Sequence, residues 1–311
     1  MTCGGSTPTY YVPSELVAKL EKARECFSDI DATCTQSNQD DDMPNVNRRD
    51  KSLLNMKIVP VRAGEEIEIK QNKVRNGVRF YLRPFDVCHG GHPALGYSVV
   101  SKTTKKCLKE EYRGIDRSNF SKLVKKGAVL YGTEMTERVE VCYTGDTNVD
   151  GLLGKGISKN EQSQLYLKEA FTAPLIISEL TYLEKKDQEL GRSRGHLNVF
   201  DIQPIFESHG WGLAKNNESG ETFGANGGAF DEHRKIVFYH LSGRHGTAER
   251  IIHGIKKALP RDLLKVTEVA LSSFIPDPEA TTVRIAKNGC VPMKDYLDDT
   301  GIRIEHNKAE L

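Results

Sequence analysis

No stretch of the chain approaches the roughly 20 consecutive apolar residues that a membrane-crossing helix needs, so a helical span is not expected. Residues 1–13 have neither a basic start nor an apolar run, and do not read as a secretory signal. The seven cysteines (Cys3, Cys26, Cys34, Cys88, Cys107, Cys142, Cys290) form no C-x-x-C pair. Their odd number also argues against a disulfide framework, and a reducing compartment, cytosolic or nuclear, is expected, with an organelle left open. Net charge is nearly absent, 44 Lys plus Arg against 43 Asp plus Glu, so the bulk field names no partner and only local clustering could. There is no internal repeat.

What remains is an ordinary core-forming composition, 38% hydrophobic over 311 residues, enough for one large domain or two small ones. Thr9 to Val12 reads as a strand, and Ser14 is placed to cap a helix whose Leu16, Leu20, Ala23 and Phe27 recur at helical spacing, predicting a core face. Residues 35–52 are rich in Asn, Gln and Asp, predicting a loop insertion, as does the Gly-rich stretch 211–233. Between 56 and 87 the apolar period is two, with turn signals at Ala63-Gly64 and Asn76-Gly77, predicting an antiparallel meander. A helix is expected over 161–173, another over 197–208 that Pro204 should interrupt, and a third capped by Thr247. Val266 to Phe274 reads as a last strand, and 275–311 as a loosely packed tail.

Chemistry concentrates where strands stop. Val139 to Tyr143 ends in Thr144-Gly145-Asp146-Thr147, Leu175 to Ile177 ends in Ser178-Glu179, and Lys235 to Tyr239 runs into His240. The 56–87 meander likewise delivers Cys88-His89-Gly90-Gly91-His92. Loops at strand carboxyl ends are where ligands commonly sit in α/β sheets, because the buried strand fixes the loop. Each of these turns alone is also ordinary loop chemistry. Together, His89, Asp146 and His240 offer two imidazoles and a carboxylate, a donor set that suits zinc. One segment, 101–127, is locally basic and carries Tyr112 and Phe120 among its lysines, which suits either a solvated face or a phosphate backbone with its bases.

Pro84-Phe85 to His89, Gly96-Tyr97, Thr144 to Thr147, Glu179 with Thr181-Tyr182, Gly195-His196 and His240-Leu241-Ser242-Gly243-Arg244 occur in the order and spacing of ribonuclease Z motifs. The chain resembles that family, the metallo-β-lactamase-fold endonucleases that remove the 3′ trailer from precursor tRNA, most closely its short eukaryotic form. The resemblance implies an α/β, αββα sandwich, incomplete at the N-terminus, over 1–274. It implies two zinc ions, one on His89, the other on His240, with Asp146 between them, and His92 as a competing imidazole. His196 would be the general acid, oriented by Glu179, while Ser242 and Arg244 would hold their loop or a phosphate. The 101–127 segment would be the arm that grips precursor tRNA, with Lys105, Lys106, Lys125 and Lys126 as its RNA contacts.

The family's first signature, H-x-H-x-D-H, is missing, and no H-x-H occurs anywhere in the chain. The resemblance then leaves two protein ligands per ion, where zinc sites use three or four. This predicts an incomplete chain that alone binds zinc poorly and does not cut precursor tRNA, with a homodimer or a partner supplying the missing part. Two other expectations are a non-catalytic relative that binds RNA or a partner, and a different hydrolase of the same fold.

Overall fold

The computed structural model describes residues 7–36, 56–70, 77–155, 160–211, 233–271, 283, 285–286 and 288–297. Of the loop insertions expected at 35–52 and 211–233, residues 37–52 and 212–232 lie outside the described residues, while Thr35 and Gln36 belong to the end of a helix rather than to a loop. The strands are β1 (Thr9–Pro13), β2 (Lys57–Val61), β3 (Ile67–Ile69), β4 (Val78–Asp86), β5 (Leu95–Leu108), β6 (Tyr131–Tyr143), β7 (Leu175–Glu179), β8 (Lys235–Tyr239), β9 (Thr267–Ala270) and β10 (Cys290–Pro292). The helices are α1 (Val17–Gln36), α2 (Phe120–Lys125), α3 (Val149–Leu152), α4 (Glu161–Ala170), α5 (Gln188–Arg194), α6 (Val199–Ser208), α7 (Ala248–Ala258) and α8 (Arg261–Val266).

β3 to β10 make one mixed sheet in the order β10-β9-β8-β7-β6-β5-β4-β3. Its half from β6 to β9 is parallel, with helices in each crossover, and the rest is antiparallel. Alternation decides the faces. Phe85, Cys142, Ile176, Ile236, Phe238 and Val269 point to one side, where Leu167, Ile202, Ile205, Ile251 and Ile255 of α4, α6 and α7 close a single core. Burying each such large side chain contributes about 1.5–3 kcal/mol.

The far face is apolar as well but thinly covered. Val99, Val141, Ile177 and Val237 share it by register and are half-buried, and Tyr143 is 39% exposed. Parallel strands are normally covered on both sides. Here β1 and β2 form a separate parallel pair on that side, tied by a bond from Tyr97 Oη to the Tyr11 carbonyl (3.0 Å). The architecture is mixed α/β, one large sheet backed by helices, and the second large sheet of an αββα sandwich is not present among the described residues.

Four local expectations change. β2 leaves the predicted meander to pair with β1, while β3 and β4 pair antiparallel as the alternation predicts. The α1 stripe is not a core face: Leu20 is 40% and Phe27 62% exposed, and Ala23 is exposed with them. α6 continues through Pro204 to Ser208, because a capping box from Asn198 and Asp201 secures its start and Ile202, Ile205 and Phe206 anchor it in the core. Part of the predicted tail is structured: β10 pairs with β9, and Val283, Val291 and Met293 are buried.

The basic segment is a strand-borne arm. β5 and β6 pair from Tyr97↔Tyr143 out to Leu108↔Tyr131, with a register shift at Glu140 between Val99↔Val141 and Val100↔Val139, and α2 lies in the connection between them.

Candidate metal centre

β4, β6, β7 and β8 all end at the same sheet edge, since β4 and β6 both run antiparallel to β5 while β6, β7 and β8 are parallel. Asp146 follows β6 through Gly145, whose φ of 64° lies in the left-handed region and whose missing side chain admits the Leu95 carbonyl, 2.9 Å from where a Cβ would stand. The loop is hydrogen-bonded on both sides. Thr144 N–H donates to the Ile177 carbonyl (3.0 Å), Thr147 Oγ1 accepts from Cys88 N–H (3.1 Å), and Asn148 N–H donates to the Cys88 carbonyl (2.8 Å). The loops carrying Asp146 and His89 are therefore one hydrogen-bonded unit.

His89 sits in a tight turn closed by His92 N–H to the His89 carbonyl (2.8 Å), with Gly90 and Gly91 at positive φ. Its Nδ1–H donates to the Gly195 carbonyl at 3.0 Å, which leaves Nε2 with a free lone pair. His92 is exposed, its ring 6.0 Å from that of His89, and it belongs to neither cluster of ligand atoms described below. Of the two imidazoles in this loop, the fold brings His89 to the site.

Glu179 closes β7 and is completely buried. Oε1 accepts from Thr147 N–H (3.0 Å), Leu197 N–H (3.1 Å) and His196 Nδ1 (3.1 Å), and Oε2 accepts from Thr181 Oγ1 (2.7 Å). These four donors satisfy the buried carboxylate. The hydrogen bond to Glu179, with further help from the Asp146 charge, holds the His196 imidazole above its ordinary pKa despite partial burial. Its ring lies between those of His89 (4.9 Å) and His240 (5.2 Å).

His240 directly follows β8 with φ of 59°, the one positive-φ residue other than glycine among the described residues. Such a backbone costs about 1–3 kcal/mol and persists where surroundings enforce it. Here Leu180 N–H donates to the Tyr239 carbonyl (2.8 Å), and Thr181 Oγ1 lies 3.1 Å from both Nδ1 and the carbonyl of His240. Nε2 faces Asp146 Oδ2 at 3.7 Å.

The ligand-type atoms fall into two overlapping clusters, each within 4.8 Å: His89, Asp146 and His196, and Glu179, His196 and His240. His196, not Asp146, is common to both clusters, and Asp146 meets His240 only in the 3.7 Å approach. Nitrogen and carboxylate oxygen donors this close together could hold a metal ion.

No known family model matches the chain, and no curated protein sequence is similar to it. Among solved structures, the chain is similar to unliganded yeast PDE1, with a TM-score of 0.32 and 14% identity over 74% of this chain and 52% of that one. The chain thus spans about half the length of that structure. A likeness of this degree says nothing about chemistry, which rests on the site itself.

The remaining sequence candidates lie around the centre or away from it. Arg244 stacks over the Tyr182 ring at 4.3 Å with the Asp187 carboxylate 3.9 Å away, so it is held against its neighbouring loop. Ser242 accepts a backbone bond from His245 N–H (3.1 Å). Lys105 and Lys106 are exposed on β5, Lys105 opposite Glu134, and Lys125 and Lys126 are exposed at the end of α2. Sequence reasoning assigned no role to Thr147, Thr181 or Gly195, all of which hold the site residues in place. Short polar residues and glycine beside each strand end were the available signal.

Proposed function

We propose that this chain carries a metal-assisted phosphodiesterase centre of the ribonuclease Z type, acting on the 3′ trailer of precursor tRNA. The observation that carries the reading is the convergence of His89, Asp146, His196 and His240 at one sheet edge, with the buried Glu179 behind His196. His89 and Asp146 would hold one zinc, and Asp146 and His240 the other. Bound zinc supplies Lewis-acid polarisation of a phosphate and a water of lowered pKa. Glu179 engages His196 Nδ1 and raises the pKa of the imidazole, whose Nε2 would protonate a leaving oxygen. The exposed lysines of the arm would neutralise phosphates away from the reacting bond.

A second reading is favoured by the ligand count. Two protein ligands per ion hold zinc weakly, so the chain would bind RNA through its arm without cutting it. The two are separated by incubating the purified chain with 5′-labelled precursor tRNA, with and without Zn²⁺. Slow, zinc-dependent removal of the trailer that Asp146→Ala abolishes supports the first. Salt-sensitive binding without a cut at saturating Zn²⁺ supports the second, and neither binding nor cutting contradicts both.

A further inference from the structure

We infer that Thr181 is a positioning residue that relays the Glu179 carboxylate to His240 and so presents the His240 Nε2 lone pair to a metal ion. The inference deepens the metal-centre reading above and rests on it. The Thr181 hydroxyl has one hydrogen and three acceptors within reach: Glu179 Oε2 at 2.7 Å, and His240 Nδ1 and the His240 carbonyl at 3.1 Å each. The carboxylate is the nearest and the only charged one, and it is wholly buried. A charge-assisted bond at that distance takes the hydrogen. The Thr181 oxygen is then an acceptor toward the imidazole, so Nδ1 of His240 carries the ring proton.

That assignment leaves a lone pair on Nε2, the nitrogen that faces Asp146. The opposite arrangement fails on two counts. Giving the hydroxyl hydrogen to Nδ1 would leave Glu179 Oε2 without this donor in a buried site. It would also put an N–H on Nε2, and at 3.7 Å Asp146 is too far to accept it well. One carboxylate thus orients two imidazoles, His196 directly through Oε1 and His240 through Thr181 from Oε2. A neutral hydroxyl relay does this without adding a third negative charge to a centre that already contains the Asp146 and Glu179 carboxylates.

The test is long-range ¹H–¹⁵N NMR of the metal-free, ¹⁵N-imidazole-labelled 311-residue chain at a pH where the His240 ring is neutral, with His240→Gln used to assign its signals. The expected result is Nδ1–H in the wild type and in Thr181→Ser, and a shift toward Nε2–H in Thr181→Val. Zn²⁺ affinity, read by competition with a chromophoric chelator, should fall about 10- to 100-fold in Thr181→Val and recover in Thr181→Ser. An Nε2–H tautomer in the wild type overturns the relay, a result that needs no variant to fold. So does a folded Thr181→Val chain with wild-type tautomer and zinc affinity, even if that chain cuts RNA. The expected tautomers and affinities in a chain that leaves RNA intact support the relay and count against the function proposed above.

Discussion

Gly195 leaves no room for a side chain beside His89: a Cβ there would lie 2.1 Å from Gly90 N and 2.5 Å from the His89 Cα. Its φ is 80°, which also favours glycine. The same residue's carbonyl accepts from His89 Nδ1, so backbone contact and ring orientation come from one position. Gly195→Ala should therefore cost about 2–4 kcal/mol, from left-handed strain together with overpacking. Zinc affinity should fall with it. Denaturant titration and chelator competition on the same preparation check both effects, and a chain of wild-type stability would show that the two loops are not locked.

The hydrogen bond to Glu179 raises the pKa of His196. Its folded pKa is raised above the unfolded 6.5, so its ion pair with Glu179 adds stability that is fully present below pH 6.5 and is lost as pH rises through the folded value. Glu179→Gln removes the charge, and the His196 pKa should drop. NMR titration of the metal-free chain measures this, and an unmoved pKa would mean that Glu179 does not set the acid.

His209 has the opposite sign. It is stacked on the Phe171 ring at 3.9 Å, with Nε2 2.7 Å from the Leu152 carbonyl, and burial lowers its pKa below 6.5. The neutral ring's contribution is complete above pH 6.5 and is lost as pH falls. Stability should decline below that pH with a slope of at most about 1.4 kcal/mol per pH unit from this one group. Thermal melts from pH 7.5 to pH 5 should be flatter for His209→Gln than for the wild type.

The arm predicts an electrostatic effect without a structural one. Joint replacement of Lys105, Lys106, Lys125 and Lys126 by Glu should abolish most tRNA binding and cut the salt dependence by about three to four units of log–log slope. These side chains are exposed, so the melting transition should stay near that of the wild type. Unchanged binding in the quadruple variant would remove the arm from the account.

Much of the site was legible because strands announce their ends. The runs Val139 to Tyr143 and Lys235 to Tyr239 are β-branched and aromatic, and each stops at a polar or glycine-containing loop that carries a ligand-type residue. Thr181 was harder to read: a hydroxyl's partner is fixed only when β7 and β8 lie side by side, 59 residues separating it from His240. The parallel pairing of β1 with β2 was hidden for a similar reason, since alternation tells which residues share a face but not which strand lies alongside. The α1 stripe misled because helical spacing shows that a face is apolar, not that anything covers it. β10, three residues with a proline at its end, falls below the length at which periodicity speaks.

The proposed metal centre consists of His89, Asp146 and His240. Zinc titration of the purified chain by calorimetry, with His89→Ala, Asp146→Ala, His240→Ala and His92→Ala measured in parallel, tests it most directly. The expected result is measurable binding that Asp146→Ala abolishes, that His89→Ala and His240→Ala each weaken, and that His92→Ala leaves unchanged. No zinc binding by the wild type, or binding lost on replacing His92 and kept without Asp146, would contradict it.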